Sequence, residues 1–257
     1  PEWAEPITWV TAENIRKAAR LFAEIKPSMM EWGCAIEHTP ACFQTVRAIL
    51  CLPSITGNID QPGSWSFGML PLPPFPQLFD KMPMYQQKKR LGYDDFKVLS
   101  GELAQLPSAH IPTIFNAIRT GEPYPVRTGF IFGNNALSTY GDVKTVFETL
   151  MALDYLVVAE LYMTPTAEIA DLILPVATWA EVDALPAVPF YGQNLIMAQQ
   201  KTFQYAECKQ DEDIMVEICR RLGTEHGQES PQEIYDSMLR SKLDFGWEEL
   251  KLSLIHI

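Results

Sequence analysis

Apolar residues follow two different periods along this chain, and the contrast is sharpest between residues 128 and 166. Val143, Val146, Phe147, Leu150 and Met151 stand at i, i+3, i+4, i+7 and i+8, the stripe of a helix buried along one face. Asp142 suits the first turn of that helix. Short apolar runs flank it at residues 129–132 and 155–159, and their lack of alternation predicts strands covered on both faces. A strand–helix–strand unit of this length makes the strands parallel and the crossover right-handed, so both strands end at one edge of the sheet.

Ligands of open α/β sheets bind at that edge. The residues expected there are small and polar: Gly133, Asn134, Asn135, Ser138 and Thr139 after the first strand, Glu160, Thr164 and Thr166 after the second. Such groups suit a base and ribose, so the stretch reads as a nucleotide pocket. The plainer alternative is that Gly133, Asn134 and Asn135 only turn the chain, since Gly and Asn tolerate positive φ. No GxGxxG follows either strand, so the nicotinamide dinucleotide fingerprint is absent.

Upstream, Thr11 is placed to cap a helix from Ala12 to about Ile25, with Ile15, Ala18, Ala19, Phe22 and Ile25 on one face and Pro27 as its stop. Residues 27–33 read as a short strand. Thr39 and Pro40 form an N-cap and N1 pair for a second helix that buries Phe43, Val46, Ile49 and Leu50. The intervening loop, residues 33–39, carries Glu37 and His38 between a strand end and a helix N-terminus, where developing charge is favoured. It is a candidate active-site loop, although a solvated or structural His and Glu is the commoner outcome. The turn-rich TGNIDQPG follows, then an extended excursion marked by prolines at 71, 73, 74, 76 and 83.

A helix from about Ile111 to Arg119 precedes the first pocket strand. Beyond the second strand, Thr164 and Pro165 form another cap and first-turn pair, and residues 170–175, ADLILP, read as a short buried strand. Asp171 either binds ligand or ties down the neighbouring short helix. A last helix, about residues 211–222, buries Ile214, Met215, Ile218 and Leu222 and stops at Gly223, after which the pattern weakens.

The balance of 20 basic against 32 acidic residues, a net charge of -12, argues against a nucleic-acid surface. The five cysteines form no CxxC and no metal spacing with histidine, and Cys42 and Cys51 are expected to pack in an apolar helix face. No run of about 18 apolar residues is present, so no direct membrane insertion is expected. The chain begins at Pro1 and enters a helix at once, as a piece cut from a longer protein does. The final LSLIHI, residues 252–257, reads as a non-native appendage.

Three segments taken together resemble the large subunit of the molybdopterin oxidoreductases, the dimethyl sulfoxide reductase superfamily. They are WGCAIEHTPACFQTVRAILCLPSITGNIDQPG, GEPYPVRTGFIFGNNALSTYGDV and LDYLVVAELYMTPTAEIADLILPVATWAE, in matching order and spacing from about Ile7 to Gly223. YAECKQDEDIMVEICRRLG and the EHTP loop look closest to sulfur-compound reductase and acetylene hydratase relatives.

The resemblance implies an α/β fold of mostly parallel, Rossmann-like three-layer sheets with helices on both faces, incomplete at both ends. It implies two molybdopterin guanine dinucleotides on one molybdenum or tungsten in the intact protein, with the guanosine part of one at the strand ends. Carried over by position, Gly133, Asn134 and Asn135 match the family's strand-end loop, and Ser138 and Thr139 its following polar positions. Glu160 matches the acidic residue that holds base or ribose, Thr164 and Asp171 match the pocket edge, and Glu37 and His38 match the loop near pterin and metal. Ala136 replaces a usual proline, Asp183 and Ala184 replace a usual Gly-Thr pair, and Gln199 stands where a basic residue is common.

The expected layout is a cofactor-binding portion over residues 1–100, a guanine-dinucleotide portion over 101–225, and a tail over 226–257. The metal ligand, the iron–sulfur cysteines and a closing barrel domain are expected outside this chain, so no residue here is assigned to metal. The chain alone is expected to be inactive. Expected partners of the intact protein are a small-molecule substrate and an iron–sulfur electron-transfer subunit, with no nucleic acid. Oxygen-atom or electron transfer at the metal is the leading chemistry. Non-redox hydration or hydroxyl transfer, and a metal-free structural subunit, stand as the alternatives, and no compartment is readable.

Overall fold

The computed structural model describes residues 1–65, 82–104, 107–188, 195–224 and 229–252. The chain divides into two compact units, residues 1–71 with 187–196, and residues 72–186 with 197–256.

The first unit carries α1 (Glu5–Thr8), α2 (Ala12–Glu24), α3 (Cys34–Glu37) and α4 (Cys42–Thr56). As expected, Thr11 caps α2, its Oγ1 accepting the Asn14 N–H at 3.2 Å. Residues 27–33 form no strand. A strand exists only within a ladder, and none of the described residues supplies one to this segment. A side chain does the anchoring instead. Asn58, 1% exposed, accepts the Ser28 N–H at 3.1 Å and donates to the Phe22 carbonyl at 3.2 Å.

The second helix begins at Cys42 behind the N-cap Ala41, later than the Thr39–Pro40 pair predicts. Its expected buried face is only partly covered: Val46, Ile49 and Leu50 are half-buried, while Phe43 is 74% exposed. The packing expected of the cysteines fails for Cys51, which is exposed, and holds in part for Cys42. Helical spacing marks a face as apolar without saying that a neighbour in the same unit covers it. A short antiparallel pair, Ala187–Val188 with Leu195–Ile196, completes this unit.

The second unit is built on β1 (Thr128–Phe132), β2 (Tyr155–Glu160) and β3 (Leu172–Pro175), parallel and adjacent in that order. Phe130 sits opposite Val157, and Val157 opposite Leu172. Helices α5 (Met84–Gln87), α6 (Ile111–Thr120), α7 (Ala136–Thr139), α8 (Val143–Leu150), α9 (Pro165–Glu168) and α10 (Asp211–Arg221) surround or precede it. On one sheet face Leu156 and Val158, with Ile131 and Ile173, pack on Phe115, Ala136, Val146, Leu150 and Ala167. Each large apolar side chain sealed there is worth about 1.5–3 kcal/mol against exposure.

On the other face Phe130, Val157, Leu172 and Leu174 look across a cleft of about 520 Å³ toward Ile214 and Ile218 of α10. Helices therefore lie on both faces, the doubly covered α/β arrangement. Coverage differs along the sheet, however. Residues 156–159 of β2 are buried, whereas Phe130 of β1 is 52% exposed, so the expectation of strands sealed on both faces holds only for the central one. The α8 stripe is likewise half-used: Val146 and Leu150 are buried, Val143, Phe147 and Met151 exposed.

The pattern beyond Gly223 is less weak than the sequence reading has it. Two helices follow, α11 (Pro231–Arg240) and α12 (Trp247–Leu252), joined by a Tyr235–Trp247 ring contact with centroids 5.0 Å apart. Pro71, Pro73, Pro74 and Pro76 of the extended excursion, and residues 253–257 of the expected appendage, lie outside the described residues. Among the described residues, no helix is long and apolar enough to cross a membrane.

Candidate functional site

Because the three strands are parallel, three segments leave the sheet at one edge: residues 133–139 after β1, 161–166 after β2 and 176–181 after β3. Gly133 opens the first with φ +58, and a Cβ there would meet nothing within 4 Å. Backbone conformation, not space, is what the glycine supplies.

The two asparagines that follow are held by neighbours. Asn134 donates from Nδ2 to the Tyr140 hydroxyl at 2.8 Å and accepts from Thr139 Oγ1 at 2.9 Å. Asn135 donates from Nδ2 to Ser138 Oγ at 3.0 Å and accepts from Thr166 Oγ1 at 2.7 Å. Thr166 Oγ1 also accepts the Leu137 N–H at 3.0 Å. The first two strand-end segments are thus one hydrogen-bonded body.

Glu160 closes β2. One carboxylate oxygen accepts the Leu161 N–H at 2.8 Å, and the other lies 3.5 Å from Thr164 Oγ1. Thr164 in turn caps α9, accepting the Ala167 N–H at 3.3 Å. Each Glu160 oxygen keeps acceptor capacity, since an ionised carboxylate offers about four lone-pair positions.

Asp171 is placed elsewhere. It precedes β3 at the opposite, N-terminal end of the strands, where Oδ2 accepts the Leu156 N–H at 2.7 Å and its own N–H returns to the Leu156 carbonyl at 2.9 Å. These bonds tie it to Leu156 of β2 and not to the neighbouring short helix α9.

After β3, Thr178 and Glu181 form a capping box, and Glu181, 5% exposed, extends it to a distant segment. Its Oε1 accepts the Tyr205 N–H at 2.6 Å while Oε2 accepts from the Thr178 N–H and hydroxyl. The Thr178 and Tyr205 N–H groups hold this carboxyl below the ordinary glutamate range. Three of the four departures that the resemblance marks, Asp183, Ala184 and Gln199, lie beside it: Ala184 pairs with Gln199, Gln199 Nε2 donates to the Trp179 carbonyl at 2.6 Å, and Asp183 Oδ1 accepts the Lys201 N–H at 2.9 Å.

Glu37 and His38 belong to the first unit, on a different local frame from the one expected. No strand end precedes them, and residues 34–37 form the single turn of α3. Glu37 Oε1 accepts the Trp32 indole N–H at 2.9 Å, and Trp32 meets Trp65 edge-on with centroids 4.6 Å apart. His38 follows, exposed, with its N–H on the Cys34 carbonyl.

A cavity of about 640 Å³ adjoins the β1 loop, lined by Asn116, Arg119, Thr139, Tyr140 and Thr145 among others. Nothing in the sequence singles out Tyr140, because a tyrosine six residues from Asn134 is too common a signal, and Thr166 stands there as one polar group among several. Among the described residues, no group of three or more His, Cys, Asp or Glu could hold a metal ion.

A family model described as molybdopterin oxidoreductase matches residues 11–221. Formate dehydrogenase H of Escherichia coli (strain K12) is 28% identical over 265 residues, covering 95% of this chain and 35% of the relative. Dopamine dehydroxylase of Eggerthella lenta is 32% identical over 238 residues, 86% of this chain and 23% of the relative. Acetylene hydratase of Syntrophotalea acetylenica is 28% identical over 246 residues, 85% and 33%. The chain therefore spans only about a quarter to a third of the length of these relatives. Among solved structures, acetylene hydratase from Pelobacter acetylenicus superposes with a TM-score of 0.73 at 24% identity, covering 95% of this chain and 37% of that one. It bears on the fold.

Proposed function

Since the chain belongs to the molybdopterin oxidoreductase family, we propose that it is part of a molybdenum or tungsten enzyme and that its strand-end edge holds the guanosine end of one molybdopterin guanine dinucleotide. The observation that carries this reading is the joined pair of loops, Asn134–Asn135 after β1 and Glu160–Thr166 after β2, at the ligand-binding edge of a parallel sheet.

The donor set there fits such a group. A guanine edge presents N–H donors and a ribose presents hydroxyls, and the edge offers amides, hydroxyls and one carboxylate with open acceptor positions. Glu160 takes the base or ribose donors, and Gly133, Asn134, Asn135, Ser138, Thr139 and Thr164 shape the edge. Glu37 and His38 are assigned to the pterin and metal side. When bound, the cofactor supplies oxygen-atom or electron transfer at its metal, and this chain supplies placement and hydrogen bonding.

The whole protein is read as acting on a small molecule, with an iron–sulfur subunit as electron partner, and this chain alone as inactive. A second reading, non-redox hydration with the same cofactor, is favoured by the sequence relative named acetylene hydratase. The test is metal and pterin analysis of the full-length protein, made in a host that builds and inserts the cofactor. Stoichiometric molybdenum or tungsten with guanine dinucleotide is the expected result. A folded product lacking both would replace the reading with a metal-free structural subunit.

A further inference from the structure

Thr166 is fully buried, yet its hydroxyl reaches two groups on the neighbouring strand-end loop. The Leu137 N–H can only donate, so Thr166 Oγ1 accepts there at 3.0 Å. The hydroxyl proton is then free for the 2.7 Å contact with Asn135, a length typical of O–H···O and short for N–H···O. That contact requires the amide oxygen of Asn135 to face Thr166. Its NH₂ must face the other way, where one N–H meets Ser138 Oγ at 3.0 Å and the second, among the described residues, meets no protein acceptor. Burial makes this orientation firm, because reversing the amide would set two N–H donors, from Leu137 and Asn135, against one hydroxyl and leave its proton without an acceptor.

We propose that Thr166 is a positioning residue for the cofactor pocket: it fixes Asn135 with an amide N–H turned to the ligand, so the ligand atom met there is a hydrogen-bond acceptor, an oxygen of the nucleotide. This rests on the strand-end pocket reading. The device links two loops 31 residues apart in sequence and converts one buried hydroxyl into the donor polarity of its neighbour. Thr164, by contrast, spends its hydroxyl on capping α9.

The test uses full-length protein loaded with cofactor. Thr166→Val keeps shape and removes both bonds, Thr166→Ser keeps the hydroxyl, and Asn135→Asp keeps the acceptor toward Thr166 while removing the donor. Pterin and guanine content per chain is followed during prolonged gel filtration, beside the thermal midpoint of the emptied protein. Thr166→Val and Asn135→Asp are expected to release cofactor about tenfold faster than wild type, the scale of one lost buried hydrogen bond, and Thr166→Ser at the wild-type rate. Where Val prevents folding, Thr166→Cys, whose thiol bonds weakly, carries the same comparison.

Wild-type retention in Thr166→Val, or in the folding Cys variant, overturns the positioning role. Wild-type retention in Asn135→Asp overturns the donor assignment. Wild-type retention after Glu160→Ala and Asn135→Leu would instead remove the pocket reading itself, so the two failures separate.

Discussion

The Glu181 carboxylate accepts the backbone N–H of Tyr205 at 2.6 Å across 24 residues, while its other oxygen closes the cap at Thr178. The bonds favour the ionised form and lower its pKa from the ordinary 4.5. A carboxyl depressed on folding adds stability that is fully present above the unfolded value and is lost as pH falls through the folded one. The thermal midpoint is therefore expected to fall as acid is added below about pH 4.5, and Glu181→Gln should flatten that dependence while lowering the midpoint at neutral pH. Midpoints of both proteins measured between about pH 3 and about pH 7 decide it, and parallel curves would show that other carboxyls set the acid limit.

The second prediction concerns the last two helices. A Cβ on Gly246 falls onto Asp236 Oδ1 and Arg240 Nη2. Neither atom is free to swing away: Asp236 Oδ1 accepts the Trp247 N–H at 2.9 Å, and Arg240 Nη2 bonds both oxygens of Glu249 at 3.0 Å. Gly246→Ala is expected to destabilise the protein by about 1–3 kcal/mol, the usual cost of forced overpacking. Denaturant midpoints would check it, and a neutral result would mean that the fork relaxes without loss.

These two networks also show what a sequence does and does not disclose. Caps are local, so Thr11 and Thr164 mark helix starts that the structure keeps, while Asp142, expected in the first turn of α8, stands one step earlier as its N-cap. The same signal stands at Ser230 and Glu233, a capping box ahead of Ile234, Tyr235, Met238 and Leu239, and reading it would have exposed α11. The parallel pair was legible because β2 is sealed on both faces and so has no polar alternation. Residues 27–33 misled for the complementary reason: a short apolar run is a local property and a ladder partner is not. Of the site, the polar types at the strand ends were visible. The pairing of Thr166 with Asn135 was not, since a contact across 31 residues belongs to tertiary structure.

Asp142 begins α8 with φ +56 and accepts both the Thr145 N–H at 3.2 Å and its hydroxyl at 2.7 Å. Two demands meet in one residue, a left-handed backbone and a side-chain oxygen. Asp142→Asn satisfies both and is expected to leave the thermal midpoint nearly unchanged, whereas Asp142→Ala satisfies neither and should lower it by several degrees. Equal midpoints for the two variants would remove the cap as a source of stability.

For the pocket, Asn135→Leu and Glu160→Ala in the intact protein are expected to reduce cofactor content without unfolding it. Glu160 is half-exposed at the end of β2 and Asn135 lies in a loop, so neither substitution opens the core. Molybdenum, tungsten and pterin content beside circular dichroism is the measurement. Full occupancy in both variants would count against the assignment.

On the other unit, Trp32 holds the Glu37 carboxylate through its indole N–H at 2.9 Å and is itself braced by Trp65. Trp32→Phe retains an aromatic ring against Trp65 but has no donor, so the carboxylate loses its fixed partner. If Glu37 and His38 serve the metal side, Trp32→Phe and His38→Ala should lower turnover several-fold while metal and pterin content stay at wild-type levels. His38 is exposed and its backbone N–H is already satisfied by Cys34, so truncating the imidazole leaves the α3 turn intact. Content and turnover are to be measured on the same preparations. A matched loss of both in His38→Ala would make this histidine a binding residue, and unchanged turnover in both variants would return the loop to a structural role.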